Sequence, residues 1–252
     1  MVIIKVDIRD CFSLDGEKNN GKNACRNGFR LEEIISSCLM GELPAGVSPE
    51  NANIIRKKLC KEMHISKNSI TFASSKGQEL TKTARFDKRT KTDILVKTKN
   101  GKRYSISAKF SGTSYVGVLE TPVENLISCN NLPEKVNKAL VNYKNNGYAL
   151  KNMSQTSKIT LKDFFEADDN KRSFIEYVVK GTSENEIQKP THILFYNYKK
   201  KLIYFSTIKE YISLVMKKNK KGTFGSCLTF TRSSGTIHEL KIKTVNPLKY
   251  FD

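Results

Sequence analysis

The fold of this chain is decided by residues 92–109, TDILVKTKNGKRYSISAK. Thr92–Lys97 and Arg103–Lys109 have the β-branched, aromatic and apolar residues typical of strands, and we predict a strand in each. Between them, the dipeptide Asn100-Gly101 is the strongest short-range signal for a hairpin. We therefore predict an antiparallel hairpin in this part of the chain.

The same hairpin carries residue types that suit phosphodiester hydrolysis. Asp93 opens the first strand, and Ser107, Ala108 and Lys109 end the second. Alternation along a strand puts Ser107 and Lys109 on one face, within reach of Asp93 across the hairpin. A carboxylate can hold the divalent cation that polarises a phosphate and activates water, and a nearby lysine can stabilise the developing charge. The alternative is a solvated carboxylate at a strand end beside a surface lysine.

The composition indicates a polyanionic partner. The 252 residues include 44 Lys+Arg and 25 Asp+Glu, a formal net charge of +19. Nucleic acid is the leading candidate, because basic side chains that neutralise phosphates release counterions. Nine of the basic residues lie within Lys82–Arg103, around Asp93. A merely lysine-rich protein is the alternative, and a membrane surface is disfavoured because the sequence has no long apolar run.

Zinc chemistry and an oxidising compartment are both disfavoured by the cysteine pattern. The six cysteines form no CxxC pair, and the three histidines are scattered along the chain. The first residues contain no apolar stretch long enough for a signal peptide. We therefore expect reduced thiols and a cytoplasmic protein.

The rest of the chain predicts a mixture of helices and strands. Helices are predicted at Phe29–Met40, Asn51–Met63, Val116–Cys129 and Pro133–Tyr148, with a short strand at Ile70–Ala73 inside a long loop. The C-terminal third predicts a hairpin of His192–Tyr198 and Leu202–Ser206, a helix from a capping box at Thr207–Glu210 to Lys218, and two strands within Thr223–Val245. We predict an α/β fold with a mixed central sheet flanked by helices. Residues 1–150 would form its core and 151–252 a smaller mixed α+β recognition module, unless both belong to one continuous domain.

Several segments, in this order, resemble the MspI-like type II restriction endonucleases. Lys91-Thr-Asp93-Ile is followed by Ser107-Ala-Lys109-Phe-Ser-Gly112 and by a helix with Cys129 and Asn130. In that family an uncharged polar residue likewise replaces the second acid ahead of the lysine. Asn27–Ile34 (NGFRLEEI) is similar to the N-terminal helix of the family, and Gly222–Phe230, Leu240–Lys243 and Leu248–Asp252 resemble its closing strands.

The resemblance implies a PD-(D/E)XK nuclease core with Mg²⁺ as its cofactor and Mn²⁺ as a substitute. Asp93 would bind the metal together with the Ala108 carbonyl, and Glu32 would complete the shell, with Glu33 as the neighbouring contender. Lys109 would orient the attacking water or stabilise the phosphate, and Ser107 would hold the site by hydrogen bonding.

DNA contacts are expected near this site and in the C-terminal segment, where short polar side chains and glycines suit a DNA groove. The predicted contacts are Lys91, Ser111, Thr113, Lys221, Ser226, Thr229, Thr231, Arg232 and Ser233. For the C-terminal residues the alternative is an exposed polar strand face. Arg232 or Ser233 is expected to contact a base edge.

These features predict a restriction endonuclease that cleaves double-stranded DNA at a short, palindromic or nearly palindromic, GC-containing site. A cognate DNA methyltransferase would be its genetic partner. Two other functions stay open: a basic DNA-binding module without catalysis, and a structure- or damage-directed nuclease on the same core. The residues do not decide between a monomer and a homodimer on DNA, and they do not fix the recognition sequence.

Overall fold

The computed structural model describes residues 1–14, 21–75, 92–181, 186–219, 222–233 and 239–251. The helices in these ranges are α1 (Gly21–Met40), α2 (Pro49–Glu62), α3 (Val123–Asn130), α4 (Glu134–Asn145), α5 (Gln155–Glu166), α6 (Asp168–Lys180) and α7 (Ile208–Lys218). The strands are β1 (Val2–Lys5), β2 (Ile70–Ser74), β3 (Ile94–Thr98), β4 (Arg103–Ser111), β5 (Tyr115–Pro122), β6 (His192–Asn197), β7 (Leu202–Thr207), β8 (Thr229–Arg232) and β9 (Glu239–Val245).

The main sheet has six strands in the order β1-β7-β6-β4-β3-β2. β4 and β6 are parallel, and every other neighbouring pair in this sheet is antiparallel. The predicted hairpin forms β3 and β4, and its turn places Gly101 at a φ of +78°, a conformation that glycine adopts without strain. The mixed α/β architecture expected from the sequence is thereby confirmed.

Two apolar clusters cover the two faces of this sheet. On one face, α1 and α2 bury residues such as Leu31 and Ile55 against Ile106 and Ala108 of β4. On the other face, Phe195 and its neighbours pack against a cluster built largely from α3 to α7. Because side chains alternate along a strand, Ser107 and Lys109 project to this second face.

A second sheet has three strands in the order β5-β9-β8 and packs into the second cluster. Both sheets combine strands from either side of residue 150. The hairpin of β6 and β7 joins β4 to β1, so it completes the main sheet and is not part of a separate C-terminal unit. In the described residues, no helix is both long and apolar enough to cross a membrane.

Most predicted elements are confirmed. α7 begins with the predicted capping box, in which Thr207 and Glu210 exchange hydrogen bonds. The helix predicted at Val116–Cys129 is wrong in its first half, because Tyr115–Pro122 forms β5 and only Val123–Asn130 is helical. Pairing with β9, distant in sequence, decides this segment, and local helical spacing could not reveal it.

Candidate active site

Asp93 is the centre of a small polar cluster just before β3. Its Oδ2 atom accepts hydrogen bonds from the Ser107 hydroxyl at 3.0 Å, the Ala108 amide at 2.8 Å and the Lys109 ammonium at 3.1 Å. The Asp93 side chain is 25% exposed and the Lys109 side chain 21% exposed, so both can reach a ligand. The structure therefore brings together four residues that the sequence predicted to act as one site.

The Ala108 amide can donate to the Asp93 side chain because β3 does not extend far enough to pair with Ala108. The Ser105 carbonyl faces β6, where it accepts from the Thr191 amide at 2.7 Å. Backbone groups alternate between the two edges of a strand, so those of Ala108 face β3. Since β3 begins only at Ile94, the Asp93 carboxylate takes the position of the next ladder acceptor. The same alternation turns the Ala108 carbonyl toward this edge.

The oxygens at this edge suit a hard divalent cation. In the described chain, every hydrogen bond to the Asp93 carboxylate goes to Oδ2, which leaves Oδ1 for a ligand. The Ala108 carbonyl is a second oxygen on the same side, and it is uncharged. Mg²⁺ typically takes one or two carboxylates and completes its octahedron with water and substrate oxygens. This donor set fits that preference.

Glu32 and Glu33, the two contenders for a further metal ligand, both lie on α1 and are partly exposed. Glu33 pairs with Arg30 at 3.4 Å and lines a groove between α1 and β2. Glu32 borders the buried stripe that contains Ile35. α1 covers the sheet face opposite the one that carries Ser107. The role of Glu32 as a ligand stays a prediction.

The outer face of the second sheet is polar, and Lys241 pairs there with Glu120 at 3.5 Å. The register pairs Thr229 with Lys243 and Thr231 with Lys241, so these four side chains share one face. The apolar residues between them are buried on the other face. The two lysines were not predicted as DNA contacts, although the alternation in Glu239–Val245 (ELKIKTV) could have indicated them.

Two predicted DNA contacts need correction. Ser226 is fully buried, and its hydroxyl donates to the Thr223 carbonyl at 2.7 Å and accepts from the Leu228 amide at 3.2 Å. Ser233 is 4% exposed and donates to the Glu120 carboxylate. Both hydroxyls form hydrogen bonds within the protein and face away from solvent. Sequence alone did not show that this glycine-rich segment folds back on itself.

The other predicted contacts differ in their setting. Arg232 is exposed at the end of β8. The Ser111 and Thr113 hydroxyls lie 3.0 Å apart just beyond Lys109, and Thr113 is exposed. Lys91 and Lys221 lie outside the described residues.

Comparison with solved structures gives a match over nearly the whole chain. The matching structure is the crystal structure of restriction endonuclease MspI in complex with its cognate DNA, with a TM-score of 0.70 and 19% sequence identity. The match covers 90% of this chain and 93% of that chain. The chain has the fold of an MspI-like restriction endonuclease. The predicted fold is therefore confirmed, and within the MspI-like fold the Asp93 cluster is the candidate active site.

The MspI-like fold is recognised here through structure alone. No protein-family model matches the sequence, and neither does any curated protein. Because 19% identity establishes the fold and no more, the function has to be argued from the side chains of the site.

Proposed function

We propose that this protein is a magnesium-dependent, site-specific endonuclease of the type II restriction class. It hydrolyses double-stranded DNA at a short, palindromic or nearly palindromic, GC-containing site, and a methyltransferase with the same specificity is its genetic partner. One observation carries the proposal: the Asp93 carboxylate is held by Ser107, Ala108 and Lys109 at the edge of a hairpin. The fold in which this site lies resembles that of a restriction endonuclease crystallised on its cognate DNA.

Each residue of the site has a distinct task. Mg²⁺, or Mn²⁺ in its place, supplies a Lewis acid that polarises the phosphate and lowers the pKa of a water molecule. Asp93 and the Ala108 carbonyl hold the cation, with Glu32 as a further ligand. Lys109 presents its ammonium to the scissile phosphate and stabilises the charge that develops there. Ser107 keeps the carboxylate in place through its bond to Oδ2.

The charge distribution supports duplex DNA as the substrate. The net charge of +19 favours a polyanion, and the outer face of the second sheet offers threonines beside lysines. Short hydroxyl side chains can contact base edges, while lysines can reach guanine or the phosphates. A two-stranded or three-stranded β surface is a known means of reading a DNA groove.

The direct test is to digest plasmid DNA with the purified protein and sequence the ends. We expect discrete fragments with Mg²⁺ or Mn²⁺, no cleavage in EDTA, and DNA binding without cleavage in Ca²⁺. Fragment ends that share one short sequence support the restriction class. Undiminished cleavage in EDTA contradicts the metal mechanism, and random ends contradict sequence specificity.

A further inference from the structure

A short connector, residues 187–191, leads into β6 and lies outside the hairpin of β3 and β4. It forms hydrogen bonds to Thr92, the residue before Asp93. The Thr92 hydroxyl donates to the Ile187 carbonyl at 2.7 Å, and the Thr92 amide donates to the Gln188 carbonyl at 3.3 Å. The next amide, that of Asp93, donates to the Ile106 carbonyl of β4 at 2.9 Å. Two successive amides therefore bond to two different elements, which fixes the two peptide planes on either side of the Thr92 Cα atom.

The connector also forms hydrogen bonds to β4, the second strand of the hairpin. The Ser105 hydroxyl donates to the same Ile187 carbonyl at 2.9 Å, so this single oxygen bridges the start of β3 and the middle of β4. Thr191 closes the arrangement: its amide donates to the Ser105 carbonyl at 2.7 Å, and its hydroxyl accepts from the Ser105 amide at 3.1 Å. The Thr92 and Ser105 side chains are both almost completely buried.

The position of this cluster relates it to the site. Ser105, Ser107 and Lys109 share one face of β4, so the Ile187 carbonyl lies on the face that carries the catalytic groups. Asp93 precedes β3 and lacks the full ladder that holds the residues after it. Without the connector, rotation about the backbone of Thr92 would move the carboxylate away from Lys109.

We propose that Thr92 is a positioning residue, whose hydroxyl, anchored on the Ile187 carbonyl, aims the Asp93 carboxylate at the metal and at Lys109. This inference rests on the proposed function, because it assigns Thr92 a part in metal binding. Groups that orient a metal ligand through hydrogen bonds commonly change metal affinity or activity by about 10–100-fold when they are removed. Thr92 acts through Asp93 and does not touch the substrate.

The test compares Thr92→Val with Thr92→Ser and with a matched control, Thr98→Val. Thr98 lies at the other end of β3, is equally buried, and donates its hydroxyl to the Lys102 carbonyl at 3.0 Å. Three quantities are measured: Mn²⁺ affinity by calorimetry without DNA, the single-turnover cleavage rate with Mg²⁺, and amide hydrogen exchange in the peptide that contains Asp93.

For Thr92→Val we expect about tenfold weaker Mn²⁺ binding, a cleavage rate lowered by about 10–100-fold, and faster exchange at Asp93. Thr92→Ser keeps the hydroxyl and should match the wild type, and Thr98→Val should change only stability. If Thr92→Val does not fold, Ser105→Ala takes its place in the comparison. Ser105→Ala removes the second donor to the Ile187 carbonyl and should give a weaker form of the effect expected for Thr92→Val.

The outcomes separate the two proposals. If the wild type cuts DNA but Thr92→Val binds Mn²⁺, cuts and exchanges like Thr98→Val, the positioning role is overturned and the nuclease stands. If the wild type neither cuts DNA nor binds Mn²⁺, the proposed function fails. In that case, unchanged exchange at Asp93 in Thr92→Val would overturn the positioning role as well, while faster exchange would support it without the metal.

Discussion

A single carboxylate oxygen organises the candidate site. Asp93 Oδ2 accepts hydrogen bonds from a hydroxyl, an amide and an ammonium. The acceptor is a charged carboxylate in all three, and only the bond from Lys109 has a charged donor as well. The arrangement holds the Lys109 ammonium beside the Asp93 carboxylate without burying either charge completely. A partly exposed pair stays open to substrate, whereas a fully buried one would be closed to it.

Substitutions at this cluster should separate catalysis from DNA binding. Asp93→Ala and Lys109→Ala should each lower single-turnover cleavage by about 100-fold or more, because each removes a charged group that acts on the scissile phosphate. Ser107→Ala should cost about tenfold, because it removes one hydrogen bond from an uncharged donor to the carboxylate. Gel shifts in Ca²⁺ on the cognate duplex should change little for all three variants. Normal cleavage by Asp93→Ala would exclude this hairpin as the active site.

At the scale of elements, α1 carries two adjacent carboxylates, Glu32 and Glu33. One experiment can compare their effects on the Mg²⁺ requirement. Glu32→Gln should raise the Mg²⁺ concentration needed for half-maximal cleavage, because it removes a negative ligand while keeping the side-chain shape. Glu33→Gln is the matched control: Glu33 pairs with Arg30 and should leave the metal requirement unchanged. The measurement is the single-turnover rate as a function of Mg²⁺. The opposite pattern would assign the metal to Glu33.

The exposed end of β8 should contribute to sequence reading. Arg232→Ala should weaken binding to the cognate duplex by about 1–3 kcal/mol and relax discrimination at one base pair, if the guanidinium binds a guanine edge. Cleavage of bound DNA should be unaffected, since Arg232 lies on the second sheet and the Asp93 cluster lies on the main sheet. The measurement is a gel shift in Ca²⁺ on a set of duplexes with single base changes. Unaltered discrimination would place base reading elsewhere.

Local sequence patterns predicted the elements that are stabilised locally. The hairpin of β3 and β4 follows from Asn100-Gly101, and α7 follows from its capping box. The Asp93 cluster was predictable because hairpin register alone brings Asp93 to Ser107 and Lys109. β5 was not, since its pairing with β9 is long-range. The bond between Thr92 and the connector, residues 187–191, was not predictable for the same reason. Nothing near Thr92 in the sequence indicates Ile187 as its partner.

At the scale of the whole molecule, the excess positive charge should make DNA binding strongly dependent on salt. The slope of log K against log salt concentration should be roughly −4 to −8, at about 0.9 per neutralised phosphate. The measurement is fluorescence anisotropy with a labelled duplex in Ca²⁺ over a series of KCl concentrations. A nearly flat dependence would mean that the charge of +19 serves another purpose.

Global stability should fall in mildly acidic solution because of one buried imidazole. Burial lowers the pKa of His192 from 6.5 to about 4. Between these values the unfolded chain binds a proton that the folded chain does not, so the free energy of unfolding decreases as pH falls from 6.5 toward 4, by up to roughly 3 kcal/mol. Urea denaturation at several pH values measures this. His192→Phe should flatten the profile and His64→Asn should not; a flat wild-type profile would contradict it.

The parallel pairing of β4 with β6 also determines how much of the chain must be translated before the hairpin that carries Asp93 has its full set of contacts. When translation has reached only α6, one edge of β4 in the nascent chain is unpaired. Thr92 then lacks the acceptor for its hydroxyl, because Ile187 has not yet been made. Long-range pairing of this kind is formed late and slowly. If the chain is the nuclease proposed above, nascent and prematurely terminated chains that lack β6 should therefore be unable to cut the chromosome.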